Sequence, residues 1–163
     1  MTIRTIVHGK AFEYATPTAL TDCETLSAVI RLGVSDGRLM NEDPKFFPLA
    51  SIWFVSSFRE NGTACSACFA GAVMRGTLGV RPGVGQVTPD CFDPDTERKL
   101  RALEYARAGS CGLAMEAMGM NFRGVDMMFM PKPRCQSFNC RVSFERFLDS
   151  MEVIADKLEA LGY

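Results

Sequence analysis

Residues 144–163 read FERFLDSMEVIADKLEALGY, and this stretch predicts an amphipathic helix of about five turns. Its apolar residues recur at the i, i+3, i+4, i+7 spacing of one helix face: Phe144, Phe147, Leu148, Met151, Ile154, Ala155, Leu158 and Leu161. Because such a stripe avoids water, we expect this helix to pack on the core of a helical domain. Its remaining faces are polar and mainly acidic.

A second helix is predicted near the N-terminus. Thr21 and Glu24 have the spacing of a capping box, in which the hydroxyl and the carboxylate accept hydrogen bonds from free backbone N–H groups. The apolar residues after them predict a buried stripe, and Gly33 is a typical C-terminal stop. Asp36 and Gly37 then predict a turn.

The middle of the chain carries weaker signals. Residues 46–58 approximate helical spacing and favour a helix, with a short strand as the alternative because 51–57 are rich in β-formers. Thr63 is expected to cap a helix over 64–78, whose small residues would let another element approach closely. Residues 79–89 contain prolines and glycines and predict a loop.

Two further helices are predicted before the C-terminal one. Asp93-Pro94 is a strong start signal, since Asp caps a helix and Pro is tolerated at its first position. That helix is expected to end at Gly109, and Ser110 would cap a short helix to Met118. Residues 121–139 predict a long irregular connection, with a strand over 125–130 as the alternative.

Together these patterns predict a mainly α fold: a compact bundle of about five to six helices, with room for one minor short β element. The 163 residues fit a single globular domain spanning residues 1–163. The hydrophobic fraction of 47% and the charged fraction of 23% are ordinary globular values and argue against disorder.

Charge and hydropathy limit the classes of function. The net charge of -1 and a pI near 5.9 argue against direct nucleic-acid binding and against an anionic membrane as partner. The longest apolar stretches, 49–55 and 125–130, fall far short of the roughly 20 residues that span a bilayer. Residues 1–10 lack the apolar core of a secretory signal, so we expect the cytoplasm as location.

The cysteines suggest a metal or thiol site. The chain has seven, an odd number that does not favour a disulfide framework. Cys65 and Cys68 form a C-x-x-C pair at the start of the predicted 64–78 helix, where the helix dipole would stabilise a thiolate. With Cys135 and Cys140 they could supply the four thiolates of a structural zinc site. The competing interpretation is that all are small core residues.

Catalytic patterns are weak. His8 is the only histidine and has no neighbouring acidic pattern, so Cys–His or Ser–His–Asp chemistry has little support. Residues 79–85 contain three glycines but match neither a Walker motif nor G-x-G-x-x-G. We therefore predict a protein that is not an enzyme and needs no cofactor, with structural zinc as the alternative.

Two groups of charged residues predict a surface for a protein partner. The terminal helix carries Asp149, Glu152, Asp156 and Glu159 on its polar side, where they could meet a basic groove. The methionine-rich connection before it carries Arg123, Lys132 and Arg134, which are residue types of an adaptable contact surface. The competing interpretation of the acidic side is a solvated helix face.

Residues 64–78 (ACSACFAGAVMRGTL) and 144–163 resemble a group of small uncharacterised proteins encoded by bacteriophages and related mobile elements. In that group a C-x-x-C-hydrophobic-A-G-A-V run precedes a helix rich in Leu-Arg-Ala-Leu, here residues 99–103. The resemblance covers about a third of the chain and transfers no activity. It implies a setting in which accessory proteins inhibit host functions, anti-CRISPR proteins among them.

The resulting expectation is a non-enzymatic phage accessory protein that binds and inhibits a host protein complex in the host cytoplasm, as an anti-CRISPR inhibitor would. The alternative is a zinc- or thiol-dependent protein centred on Cys65 and Cys68.

Overall fold

A computed structural model describes most of the chain. The described residues are 2–7, 10–15, 18–50, 53–57, 65–80, 85–121, 130–136 and 138–163. Within them the helices are α1 (Thr18–Thr21), α2 (Leu26–Glu42), α3 (Phe69–Gly76), α4 (Pro94–Arg107), α5 (Cys111–Ala117) and α6 (Arg141–Ala160). The strands are β1 (Thr2–Val7), β2 (Lys10–Ala15), β3 (Phe46–Pro48), β4 (Phe54–Ser57), β5 (Cys65–Ala67) and β6 (Gly85–Gln86). The mainly α prediction, with a minor β element, is confirmed.

The predicted C-terminal helix is confirmed as α6, and its apolar stripe lies in the core except for Leu161, which is 50% exposed at the helix C-cap. Phe144 and Phe147 are fully buried, and both rings pack against Phe138 with centroids 4.8 Å apart. Phe147 also meets Phe69 of α3 edge-on at 5.5 Å. These aromatic contacts join α6, α3 and the segment before α6 into one core.

Helix α2 corrects three predictions. It begins after Thr25, whose hydroxyl accepts a hydrogen bond from the Ala28 N–H at 3.2 Å, instead of after a capping box at 21–24. It also continues through Gly33 and Gly37, which were predicted as a helix stop and a turn. A Cβ on Gly33 would lie 2.6 Å from the Phe69 ring. The glycine therefore allows close packing inside the helix rather than ending it.

The predicted helix over 64–78 is wrong at its start. Residues 65–67 form strand β5, which pairs with β3 in parallel and with β4 in antiparallel. The helix begins only after Cys68, whose Sγ accepts a hydrogen bond from the Gly71 N–H at 3.3 Å. The predicted cap Thr63 lies outside the described residues. Sheet pairing on both edges holds 65–67 extended despite their small side chains.

Strands also replace the helix favoured over 46–58, so the alternative of a short strand is correct there. The sheet has the strand order β3-β5-β4-β6, and β6 adds two residues to the predicted loop over 79–89. Strands β1 and β2 pair separately as an antiparallel hairpin. The short strands fit beside the helices as a minor element.

Helices α4 and α5 confirm the two helices predicted over residues 93–118, although the Ser110 side chain makes no capping hydrogen bond at the start of α5. Asp93 caps α4 by accepting hydrogen bonds from the N–H groups of Asp95 and Thr96, both at 3.1 Å. Residues 130–136 and 138–139 have no regular structure, as predicted for this connection. The candidate strand over 125–130 lies almost wholly outside the described residues. Within the described part, no helix is long and apolar enough to cross a bilayer.

A buried carboxylate lies where α2 crosses the end of α3. Asp36 is only 8% exposed, and the Thr77 hydroxyl donates a hydrogen bond to its Oδ2. A Cβ on Gly76 would lie 2.7 Å from its Cγ, so glycine makes room for the carboxylate. Burial raises the pKa of Asp36 from 3.8 to about 6, although the Thr77 hydrogen bond opposes this shift.

Asp36 should make stability depend on pH. Its pKa is raised on folding, so the folded state binds more protons and stability falls as pH rises from 3.8 to about 6. Asp36→Asn, whose amide oxygen can still accept from Thr77, should raise the free energy of unfolding by about 1–3 kcal/mol at about pH 8. The gain should vanish near pH 4, on the order of the unfolded pKa.

Urea titrations across this range measure the effect. Asp22→Asn, at an exposed carboxyl before α2, is the matched control and should change stability little at any pH. A loss of stability in Asp36→Asn at every pH would contradict the prediction, because the charged form would then support the fold.

Candidate interaction surface around the C-terminal helix

Five carboxylates follow one another along the side of α6 that faces α2. We call them the acidic strip: Glu145, Asp149, Glu152, Asp156 and Glu159. Two arginines of α2 bind them. Arg31 Nη2 lies 2.8 Å from Asp156 and 2.5 Å from Glu159. Arg38 Nη2 lies 2.9 Å from Asp149 and 2.7 Å from Glu152, while its Nε lies 3.5 Å from Glu145.

The four predicted acidic residues therefore lie together, and they also pair within the chain. Five carboxylates share two guanidiniums, so these seven side chains carry a surplus of three negative charges. The carboxylate side chains stay between 43% and 66% exposed. The strip thus holds α2 against α6 weakly, as exposed ion pairs do, and still presents negative charge to solvent.

The arginine partners were missed by sequence reasoning. Arg31 and Arg38 are seven residues apart, a spacing that places both on one side of a continuous helix. Because this helix was predicted to stop at Gly33, Arg31 and Arg38 were not expected to lie on the same helix.

A small groove adjoins the acidic strip on α6 and shares Asp149 with it, and we call it the basic groove. It has a volume of about 270 Å³. One wall comes from the irregular segment and consists of Pro131, Lys132 and Arg134. The other wall comes from α6 and consists of Arg146, Asp149, Ser150 and Val153. Lys132 and Arg134, both predicted as partner-binding residues, thus meet the acidic helix here. The predicted Arg123 lies outside the described residues.

The charges of the groove are mainly positive. Its three cations Lys132, Arg134 and Arg146 are exposed, and none has an ion-pair partner among the described residues. Its one carboxylate, Asp149, is already bound by Arg38. Arg146 is a groove residue that sequence reasoning left outside the predicted site.

Exposed apolar side chains accompany the groove. Val142 and Val153 are 64% and 44% exposed, and with Arg146 and Asp149 they follow the i, i+4, i+7, i+11 spacing of one helix face. The outer side of α6 therefore exposes two valines, with the acidic strip on one flank and the cations of the groove on the other. This combination of apolar and charged side chains is typical of a protein contact surface.

The four cysteines of the predicted zinc set lie on different elements. Cys65 belongs to β5, Cys68 precedes α3, Cys135 lies in the irregular segment and Cys140 precedes α6. Among the described residues, which leave out the Cys65 side chain, no three histidine, cysteine or acidic side chains are arranged to hold a metal ion. Cys68, Cys135 and Cys140 are therefore not brought together. His8 lies outside the described residues.

Two of these cysteines have capping roles. Cys68 is fully buried and caps α3 through its Sγ. Cys140 is exposed, and its Sγ lies 3.0 Å from the Ser143 hydroxyl and 3.4 Å from the Ser143 N–H. These Ser143 contacts lower the pKa of the Cys140 thiol, whereas burial raises the pKa of Cys111 to about 11.

Cys140 should therefore be the most reactive thiol of the described residues. Reaction with a chromogenic disulfide reagent near neutral pH should show a fast phase of about one thiol per chain. Cys140→Ser should remove this phase, and Ser143→Ala should slow it by raising the pKa. Cys111→Ser is the control and should leave the fast phase intact. A fast phase that persists in Cys140→Ser would disprove the assignment.

Comparison with known proteins adds no assignment. No protein-family model, curated protein or solved structure matches the chain. The resemblance to phage-encoded accessory proteins thus stays a prediction.

Proposed function

We propose that the protein is not an enzyme and acts by binding another protein through the outer side of α6. The observation that carries this proposal is the surplus of negative charge on the acidic strip, which stays exposed after Arg31 and Arg38 have paired with it. A basic surface of a partner would complement this charge. The exposed Val142 and Val153 beside the strip would supply apolar area that is buried on binding.

The resemblance of residues 64–78, 99–103 and 144–163 to phage-encoded proteins supplies the biological setting of the proposal. In that setting the partner is a host protein complex, and binding blocks its activity. RNA-guided nuclease complexes are strong candidates because they hold nucleic acid in positively charged channels, which an acidic helix could occupy. The protein is then an anti-CRISPR inhibitor in the host cytoplasm.

Size-exclusion chromatography with purified RNA-guided effector complexes tests this proposal, together with a DNA-cleavage assay. We expect co-elution and loss of cleavage for the wild-type chain. Reversing charge at Glu152 and Asp156 to lysine should weaken inhibition about tenfold or more. The fold should survive because exposed ion pairs contribute only about 0–1 kcal/mol each.

Glu116→Lys is the matched control, since it reverses an exposed carboxylate on α5 and should leave inhibition unchanged. Failure to bind any effector complex would exclude the anti-CRISPR proposal. If Glu116→Lys weakened binding as strongly as the variants at Glu152 and Asp156, binding would depend only on the overall charge of the protein.

A zinc- or thiol-dependent protein centred on Cys65 and Cys68 is our second proposal. Its support is the placement of Cys68 at the start of α3, where the helix dipole favours a thiolate. Elemental analysis of protein produced with added zinc tests it, and about one zinc per chain is expected. Retention of the same zinc content in Cys68→Ser, or protein without metal, would exclude zinc at this site. The absence of a rapid thiol reaction at Cys65 and Cys68 would exclude the thiol-dependent form.

A further inference from the structure

We propose that the basic groove binds a short acidic segment of the partner protein, with a carboxylate between its three cations and an aliphatic side chain against Val153. The inference rests on the proposed function and adds a second, oppositely charged contact to it. The partner would present basic residues to the acidic strip and an acidic segment to the groove, which adjoins the strip on the same helix.

The charges of the groove support an anionic occupant. Lys132, Arg134 and Arg146 have no ion-pair partner among the described residues, although the whole chain has a net charge of -1. Asp149, which also lies 2.9 Å from Arg38, offsets only part of this charge, because three cations face this one carboxylate among the described lining residues. A carboxylate in the groove could form bidentate hydrogen bonds with either guanidinium.

The size and surroundings of the groove favour a peptide over a nucleic acid. A volume of about 270 Å³ admits one or two side chains. Val153 and Pro131 provide apolar wall surface suited to an aliphatic group. Nucleic-acid binding needs a longer track of cations along the phosphate backbone, and here the acidic strip runs along the same helix and would repel a polyanion.

The irregular wall of the groove is held in place by several contacts. The Arg134 N–H donates a hydrogen bond of 3.4 Å to Ser150 Oγ of α6, and Phe138 packs into the aromatic core. Arg107 Nη1 lies 3.5 Å from the Gln136 carbonyl oxygen. A wall anchored before binding loses little conformational entropy when a ligand enters.

Fluorescence anisotropy with a fluorescein-labelled peptide of alternating glutamate and leucine tests the inference on the full chain. We expect saturable binding that weakens with added salt. Arg134→Glu and Arg146→Glu should each weaken it about tenfold or more. Lys45→Glu reverses an exposed cation outside the groove and is the matched control, with unchanged binding expected. Val153→Ser should also weaken binding by removing the apolar contact without changing the charge of the groove.

Several outcomes would overturn the inference. Equal binding of a peptide with glutamine in place of glutamate would show that charge does not contribute to binding. Tighter binding of duplex DNA than of the peptide, lost in the same variants, would assign the groove to nucleic acid. Self-association that both groove variants abolish, without peptide binding, would assign it to a second copy of the chain.

The two proposals fail separately. If host-complex inhibition depends on Glu152 and Asp156 but persists in Arg134→Glu and Arg146→Glu, the proposed function stands and the groove inference is wrong. If the peptide binds as expected while no effector complex is inhibited, the groove inference stands and the anti-CRISPR proposal is wrong.

Discussion

Replacing Phe147 with alanine is expected to lower the free energy of unfolding by about 3–5 kcal/mol. The side chain is fully buried, and its ring contacts Phe138 at 4.8 Å and Phe69 at 5.5 Å between centroids. Truncation would leave a cavity at the point where α6, α3 and the segment before α6 meet. Urea denaturation followed by circular dichroism measures the loss.

Two further variants provide comparisons for the loss of stability in Phe147→Ala. Phe147→Leu fills much of the cavity and should cost clearly less than Phe147→Ala. Val153→Ala removes two methyl groups from the exposed side of the same helix and should change stability by about 0.5 kcal/mol or less. If Phe147→Ala cost no more than Val153→Ala, the aromatic cluster would not be the core of the fold.

Replacing Glu104 with alanine is expected to cost about 3–5 kcal/mol, because it leaves the guanidinium of Arg107 buried without its counter-charge. The two side chains are only 11% and 10% exposed. Glu104 Oε1 accepts hydrogen bonds from Arg107 at 2.5 Å and 3.0 Å. The Glu104 contact also raises the pKa of Arg107, against the effect of burial.

A double variant tests whether the loss in Glu104→Ala comes from the unpaired charge of Arg107. Glu104→Leu with Arg107→Met replaces both charges by apolar groups and should recover most of the loss seen in Glu104→Ala. Glu97→Ala, which breaks the half-buried pair with Arg101 near the start of the same helix, should cost only about 0.5–1 kcal/mol. Similar costs for Glu97→Ala and Glu104→Ala would show that burial of the pair has no energetic consequence.

Arg107 connects this pair to the basic groove, because its other nitrogen approaches the Gln136 carbonyl oxygen. The double variant Glu104→Leu with Arg107→Met should therefore bind the acidic peptide more weakly than the wild-type chain, even though most of its stability is recovered. The loss of a wall contact, rather than of the fold, would explain that difference.

Part of the candidate interaction surface could be predicted from the sequence. The spacing of Asp149, Glu152, Asp156 and Glu159 placed them on the polar side of one helix, and they do lie together. Their pairing with Arg31 and Arg38 depended on how α2 packs along α6. Periodicity within one helix carries no information about the side chains of its neighbour.

The C-x-x-C segment is a second case in which the local sequence did not decide the structure. Small residues over 64–78 are compatible with a helix and with a strand, so local preference did not decide between them. Pairing of β5 with β3 and β4 decided it, and this moved Cys65 out of the first helical turn in which a thiolate was predicted.

The sequence by itself determined α6 and α4, because the apolar period of the first and the Asp-Pro start of the second act within a few residues. Only the tertiary structure decided that Gly33 and Gly37 lie inside a helix. At both positions a Cβ would meet a side chain from another element, Phe69 in one case and Leu148 in the other. The local sequence around a glycine does not show whether the residue ends a helix or lies inside one at a close contact. Only the side chain that packs against the glycine distinguishes these two cases.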